Sequence, residues 1–329
     1  MKKLALSTVF ILSLLLVCSC TNRGGIKKAF MNNASGAPYE VLIVMNPEAY
    51  NRPAGRALFD ILNADVPGLS VSEPLMKISN VAPVHFEGFV KMMRNVVLVN
   101  ISDEVTSPHL TFGNDVWANG QVVLYVNAPT EDVLVRFLEN EENQQKIVQF
   151  FYNSEITRMA RFYQANSRKS FDELIENKFG FKFNVPDFIQ QTKEGKDFIW
   201  LSDNTASPMN LVIYTVPYTD TLAFTKERLI HVRDSVMKAN IPGSFENSYV
   251  KTTTIFPPKL TEITVNKKYC AELRGLWEME NDMMGGPFVS LTRVDELNNR
   301  LVTVEAFIYA PSRPNRNLIK RVEAALYTL

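Results

Sequence analysis

Four times along the chain an apolar run is cut off by a proline and followed by an amphipathic stretch. This grammar limits the fold more than any other feature. The runs are Tyr39–Pro47, Gln121–Pro129, Asn210–Pro217 and Val304–Pro311. Proline donates nothing to a ladder and suits the first turn of a helix, so each marks a strand end. Helices are predicted over 55–62, from Glu131, over 225–238 and over 317–326. In the last, Leu318, Ile319, Val322, Ala325 and Leu326 share one face at helical spacing. Further strands are expected at 95–101, 198–201, 272–278 and 288–292, with 181–185 closing the first half. The order β-α-β-β-α is the ferredoxin-like pattern. The predicted class is α+β, with antiparallel sheets covered by helices on one face.

Units one and three also share a Pro-Gly helix stop, Pro67-Gly68 and Pro242-Gly243. The offsets Pro47 to Pro217 (170 residues) and Pro129 to Pro311 (182 residues) are similar. Two readings are open: a tandem duplication into two ferredoxin-like halves, 38–186 and 187–329, or convergent use of common turn chemistry. The stretch 131–178 reads as helical with a break near Asn166–Ser170, ended by Gly180.

The N-terminus divides into a basic start (Lys2, Lys3), an apolar run Leu4–Val17, and Cys18-Ser19-Cys20. A run this short reads as a secretory signal peptide, since a membrane span needs roughly 20 apolar residues. Residues 1–19 are therefore expected to be removed. The small and apolar residues before Cys20 resemble the lipobox of bacterial lipoproteins, which implies lipid on Cys20 and attachment to a cell-envelope membrane. Thr21, where an aspartate would mark inner-membrane retention in that family, points to the outer membrane facing the periplasm. Gly24, Gly25, Asn32, Asn33, Ser35 and Gly36 make 20–37 a flexible tether.

Lysine plus arginine balances aspartate plus glutamate at 35 each. Loss of Lys2 and Lys3 leaves a nearly neutral chain, which argues against nucleic acid as partner. Cys270, alone once Cys20 carries lipid, alternates within a strand and reads as a buried inert thiol. His85, His109 and His231 lie in unrelated contexts, so no metal site is predicted. No nucleotide loop or nucleophile elbow occurs, and no cofactor or catalytic residue is nominated.

The densest unusual run is Arg274–Phe288, where Asn-Asp, Met-Met and Gly-Gly-Pro separate two strands. One reading is a binding loop furnished by Arg274, Trp277, Glu278, Asp282, Gly285 and Gly286. The other is a hairpin connection whose glycines are turn chemistry and whose Trp277 is core.

The lipobox, Ser35–Val41, Arg94–Val96, Trp117–Gln121, Phe198–Trp200, Arg274–Trp277 and Met284–Phe288 together resemble a lipoprotein family of the Bacteroidetes lineage (domain of unknown function 4837). The resemblance spans nearly the whole mature chain and implies an envelope address but no chemistry. The expected function is a membrane-anchored, non-enzymatic binding or scaffold module for an envelope protein or small ligand. The alternative is an envelope hydrolase acting on glycan, peptidoglycan or lipid, with Glu278 and Asp282 as its carboxylates.

Overall fold

A computed structural model of the chain describes residues 31–329. Cys20 and the expected signal peptide lie outside the described residues. Seven α-helices, the first being the short α1 (Pro47–Tyr50), and thirteen strands in two sheets are described, and the α+β class holds.

The first sheet orders its strands β2-β1-β3-β5-β4. They are β1 (Glu40–Val44), β2 (Lys77–Val81), β3 (Asn95–Ile101), β4 (His109–Asn114) and β5 (Val122–Ala128). β1 pairs in parallel with β2 and β3, and β3 with β5; only β4 runs antiparallel, on the edge. The expected antiparallel, ferredoxin-like half is thereby corrected. The physical reason lies in the runs themselves. Val41–Met45 and Val122–Leu124 are buried without alternation, as strands covered on both faces are. One face packs on α2 (Pro53–Leu62), α3 (Glu131–Leu138) and α4 (Glu141–Ala165) through Leu58, Leu134 and Phe151. The other is closed by Phe86 and Trp117.

The second sheet is antiparallel throughout, ordered β10-β11-β12-β13-β8-β7-β6, with β9 paired to β11. Its strands are β6 (Gln191–Gly195), β7 (Phe198–Ser202), β8 (Met209–Pro217), β9 (Tyr249–Thr252), β10 (Lys259–Val265), β11 (Lys268–Glu280), β12 (Gly285–Asp295) and β13 (Arg300–Ile308). Helices cover both its faces, not one. On one side lie the end of α4, α5 (Lys169–Phe179) and α7 (Arg316–Glu323) with its 3-10 extension. On the other lies α6 (Lys226–Asn240). The two halves thus have different topologies and are not repeats of one another; the shared Pro-Gly stops are common turn chemistry.

The segment 181–185 forms no strand. Phe183, Val185 and Ile189 instead enter the second core beside Ile175 and Phe179 of α5. Gly180 ends α5 at φ 73°, the left-handed conformation that glycine adopts without a Cβ penalty. Cys270 is fully buried, and that burial pushes its thiol pKa up. The end of the expected tether is not free: Ala34 N donates to Asn119 O (2.9 Å) and Ser35 N to Met92 O (2.7 Å).

One buried ion pair holds α6 on the sheet. Arg233 donates from Nε and Nη2 to Glu305 Oε2 (2.9 Å) and Oε1 (2.8 Å), and from Nη1 to Thr252 Oγ1 (2.9 Å). Its guanidinium lies 3.8 Å from the centre of the Phe288 ring. Removing one partner of such a pair strands a buried charge, at about 3–5 kcal/mol, whereas replacing both with apolar groups is often neutral. Arg233→Met should therefore destabilise the protein by that amount in denaturant titrations, and adding Glu305→Leu should recover most of it. A double variant as unstable as the single one would refute the pairing as the cause.

Candidate functional site

The alternation of β11 sends its residues to opposite faces. Trp277 turns toward α6 and packs edge-on against Phe307, 5.5 Å between ring centres. Its indole Nε1 donates to Ile308 O at 3.0 Å. Arg274 turns to the other face, into the seam between the two domains. The six residues of the expected loop therefore do not form one cluster.

Each has a structural task. Gly286 lies opposite Trp277 in the ladder, and a Cβ there would stand 2.2 Å from Ile308 O. Gly285 faces Glu278, and its Cβ would meet Trp277 O at 2.8 Å. The glycines are present so that two backbones and an indole can approach. Glu278 pairs with Lys251 Nζ at 3.2 Å. Asp282, on the hairpin turn, accepts Met283 N at 2.7 Å. Met283 is wholly exposed.

Arg274 belongs to a buried ionic cluster. Glu323 Oε1 accepts from Arg274 Nη2 (2.5 Å) and from the Tyr152 hydroxyl; Oε2 accepts from Arg274 Nη1 (3.2 Å) and lies 3.3 Å from Lys320 Nζ. Tyr152 comes from α4 of the first domain, Arg274 from β11, and Glu323 and Lys320 from α7. Burial would raise the Glu323 carboxyl, but Arg274 and Lys320 outweigh it and hold the pKa down to about 2. Burial pushes the Lys320 ammonium down to about 8 against the pull of Glu323.

Four of the six loop residues, Trp277, Glu278, Gly285 and Gly286, line a groove of about 570 Å³ at the seam. The first domain contributes the loop bearing Val71 and Glu73, and the second adds Phe256 and the connection Pro311–Asn315. Val71 and Phe256 are more than half exposed. Glu73 is already engaged: its two oxygens accept Asn315 N (2.5 Å) and Arg316 N (3.0 Å), capping α7 from across the seam. Arg313 is exposed and has no hydrogen-bond or ion-pair partner among the described residues. Asn315 Oδ1 is buried and accepts no hydrogen bond among them. Sequence reasoning missed Val71, Glu73, Phe256, Arg313 and Asn315. The proline-flanked Pro311-Ser312-Arg313-Pro314 is the one signal that could have pointed to an ordered loop there. Among the described residues no His, Cys, Asp and Glu cluster could hold a metal, and no helix is long and apolar enough to cross a membrane.

Two outcomes test this geometry. Gly286→Ala should cost at least about 1–3 kcal/mol, the usual penalty for forcing atoms into a packed site. Asp282→Ala at the turn should stay within about 0.5 kcal/mol. Equal stabilities in thermal melts would contradict the close approach at Ile308. For pH, Glu323 has a folded pKa below its unfolded value, so its contribution is complete above the unfolded pKa and fades as pH falls toward 2. From pH 5 to pH 2 the protein should lose about 3 kcal/mol through this group. Glu323→Gln should show a correspondingly smaller drop in denaturant titrations at the two pH values; an unchanged drop would place the acid sensitivity elsewhere.

No curated protein matches the sequence. Family models divide it at the end of α4: residues 34–164 match one domain of unknown function (DUF8532), and residues 168–328 match another (DUF4837). The resemblance expected over nearly the whole mature chain is thus confined to the second domain, and the motifs from Ser35 to Gln121 fall under the other model. The second domain, which carries the antiparallel sheet and most of the groove, is thus the part of the chain that matches the DUF4837 family.

Proposed function

We propose that the protein is a non-enzymatic binding module of the bacterial cell envelope, held at a membrane by lipid on Cys20. In this reading it is a lipoprotein of the Bacteroidetes type, on the periplasmic side of the outer membrane. The groove at the domain seam seats an extended segment of an envelope partner protein. The observation that carries this is the groove's unspent chemistry: exposed Val71 and Phe256 and an exposed, unpaired Arg313 in one cleft. A segment offering an apolar side chain and a carboxylate would meet both. Exposed aromatic and arginine side chains are the usual anchors of protein interfaces.

Binding is favoured over hydrolysis by what the groove's carboxylates already do. Glu73 caps α7 and Glu278 is paired with Lys251. Asp282 lies on the hairpin turn, outside the groove lining. Glycoside hydrolysis needs two free carboxyl groups flanking one bond.

Photo-crosslinking in the envelope tests the assignment. A benzophenone side chain at position 256 should give a discrete adduct, weakened by Arg313→Glu. The same group at Leu222, 69% exposed against 61% for Phe256, should not. Equal adducts at the two positions, or indifference to Arg313→Glu, would remove the groove from consideration.

A further inference from the structure

The chain enters the first domain from its N-terminal side at one defined place. Asn119 N donates to Asn32 O (2.8 Å), Ala34 N to Asn119 O (2.9 Å), and Arg94 N to Ser35 O (2.8 Å). Eleven residues lie between Cys20 and Asn32, a reach of at most about 40 Å fully extended. Whatever holds Cys20 therefore lies within that reach of Asn32.

The face at the point of chain entry is built by the connection between β2 and β3, which forms two short 3-10 helices at Pro83–His85 and Gly88–Met92. Its aromatic residues divide sharply. Phe86 turns inward against Trp117, with ring centres 5.2 Å apart. Phe89 turns outward and is 84% exposed, and Val84 is 75% exposed. Gly88, at φ 52°, reverses the chain between the two phenylalanines. Phe89 stands one 3-10 turn before Met92, whose carbonyl accepts Ser35 N. Phe89 thus stands beside the point of chain entry, with Val84 on the preceding turn of the same connection. Lys91 balances Glu87, the only acidic residue in 83–94, while Arg94 turns inward to pair with Glu155 at 3.2 Å. Exposed aromatic and aliphatic side chains beside a lysine are what the headgroup region of a bilayer accepts.

We propose that this face rests on the membrane, with Val84 and Phe89 inserted at the level of the headgroups. The proposal rests on the reading that Cys20 carries the lipid anchor. Lipid and side chains together then fix the orientation of the first domain on the bilayer, which a tether alone would leave open.

The test uses the full lipidated protein in phosphatidylethanolamine–phosphatidylglycerol vesicles. Single variants Val84→Cys, Phe89→Cys and Leu297→Cys are labelled with an environment-sensitive fluorophore; Cys270 is buried and Cys20 is blocked by lipid. Leu297, 97% exposed in the β12–β13 turn of the second domain, is the reference. Labels at 84 and 89 should shift to the blue on vesicle binding and lose emission to nitroxide lipids, while the label at 297 should do neither. In a chain labelled at Lys91→Cys, Val84→Ser with Phe89→Ser should abolish the shift. Protein that floats with vesicles while all three labels stay in water overturns the membrane face and leaves the anchor standing. A blue shift without nitroxide quenching means contact with a second protein and also overturns it. Protein that does not float at all refutes the anchor, and the membrane face with it.

Discussion

The bidentate pair of Arg274 and Glu323 is the constraint on which the rest of the molecule depends. Both side chains are almost wholly out of water, so their charges are tolerable only in one geometry. Arg274 is fixed by the register of β11, and Glu323 by the last turn of α7. The Tyr152 hydroxyl ties the same carboxylate to α4. Three elements from two domains therefore meet at one oxygen pair. Gly68, at φ 79°, lies so near that a Cβ would stand 2.8 Å from Arg274 Cγ. The turn that leads to Val71 and Glu73 is set in place by that approach, and Glu73 in turn caps α7. Both walls of the groove depend on the position of the guanidinium.

Much of the fold is legible in the sequence because its signals are local. The four proline-stopped runs are strands, the stretch 131–179 is helical, and Gly180 ends it. The added break at 139–140 is a cap, with Asn140 Oδ1 accepting Asn143 N at 3.2 Å. Strand direction in the first half is where local reading failed. A strand feeding a helix through a short turn is half of a parallel crossover, and Val41–Met45 lacks the polar alternation that a one-sided sheet shows. β2 gave no signal because Lys77, Ser79 and Asn80 keep it polar at the sheet edge, where strands bury least. β4 is the other edge, and its mixture of histidine, threonine and glycine hid it for the same reason.

The candidate site divides along similar lines. Gly285 and Gly286 mark a close backbone approach, as adjacent glycines do, and the hairpin and core reading describes their packing against Trp277 and Ile308. Nothing local could show that the ends of those strands also floor a groove. Its walls come from segments about 240 residues apart in sequence, brought together only when Glu73 meets Asn315 and Arg316. Arg274 misled for the opposite reason. In sequence it is a polar residue beside a glycine-rich turn, but its strand position faces the seam, where a cation is needed.

The polarity of the seam bears on how the groove can work. Arg274, Glu323 and Lys320 all belong to the second domain, so opening the domains would hydrate their pairing without breaking it and would remove only the Tyr152 hydrogen bond; the cluster therefore adds little net stability to the seam. Its larger effect is on register. A slip of β11 against α7 by one residue would reverse the face that Arg274 presents and leave Glu323 buried without its partner. The seam therefore has one satisfied arrangement, and the groove at its rim is formed before any ligand arrives. A partner segment entering it orders its own chain but not the walls, which keeps the entropic cost of association on the partner's side.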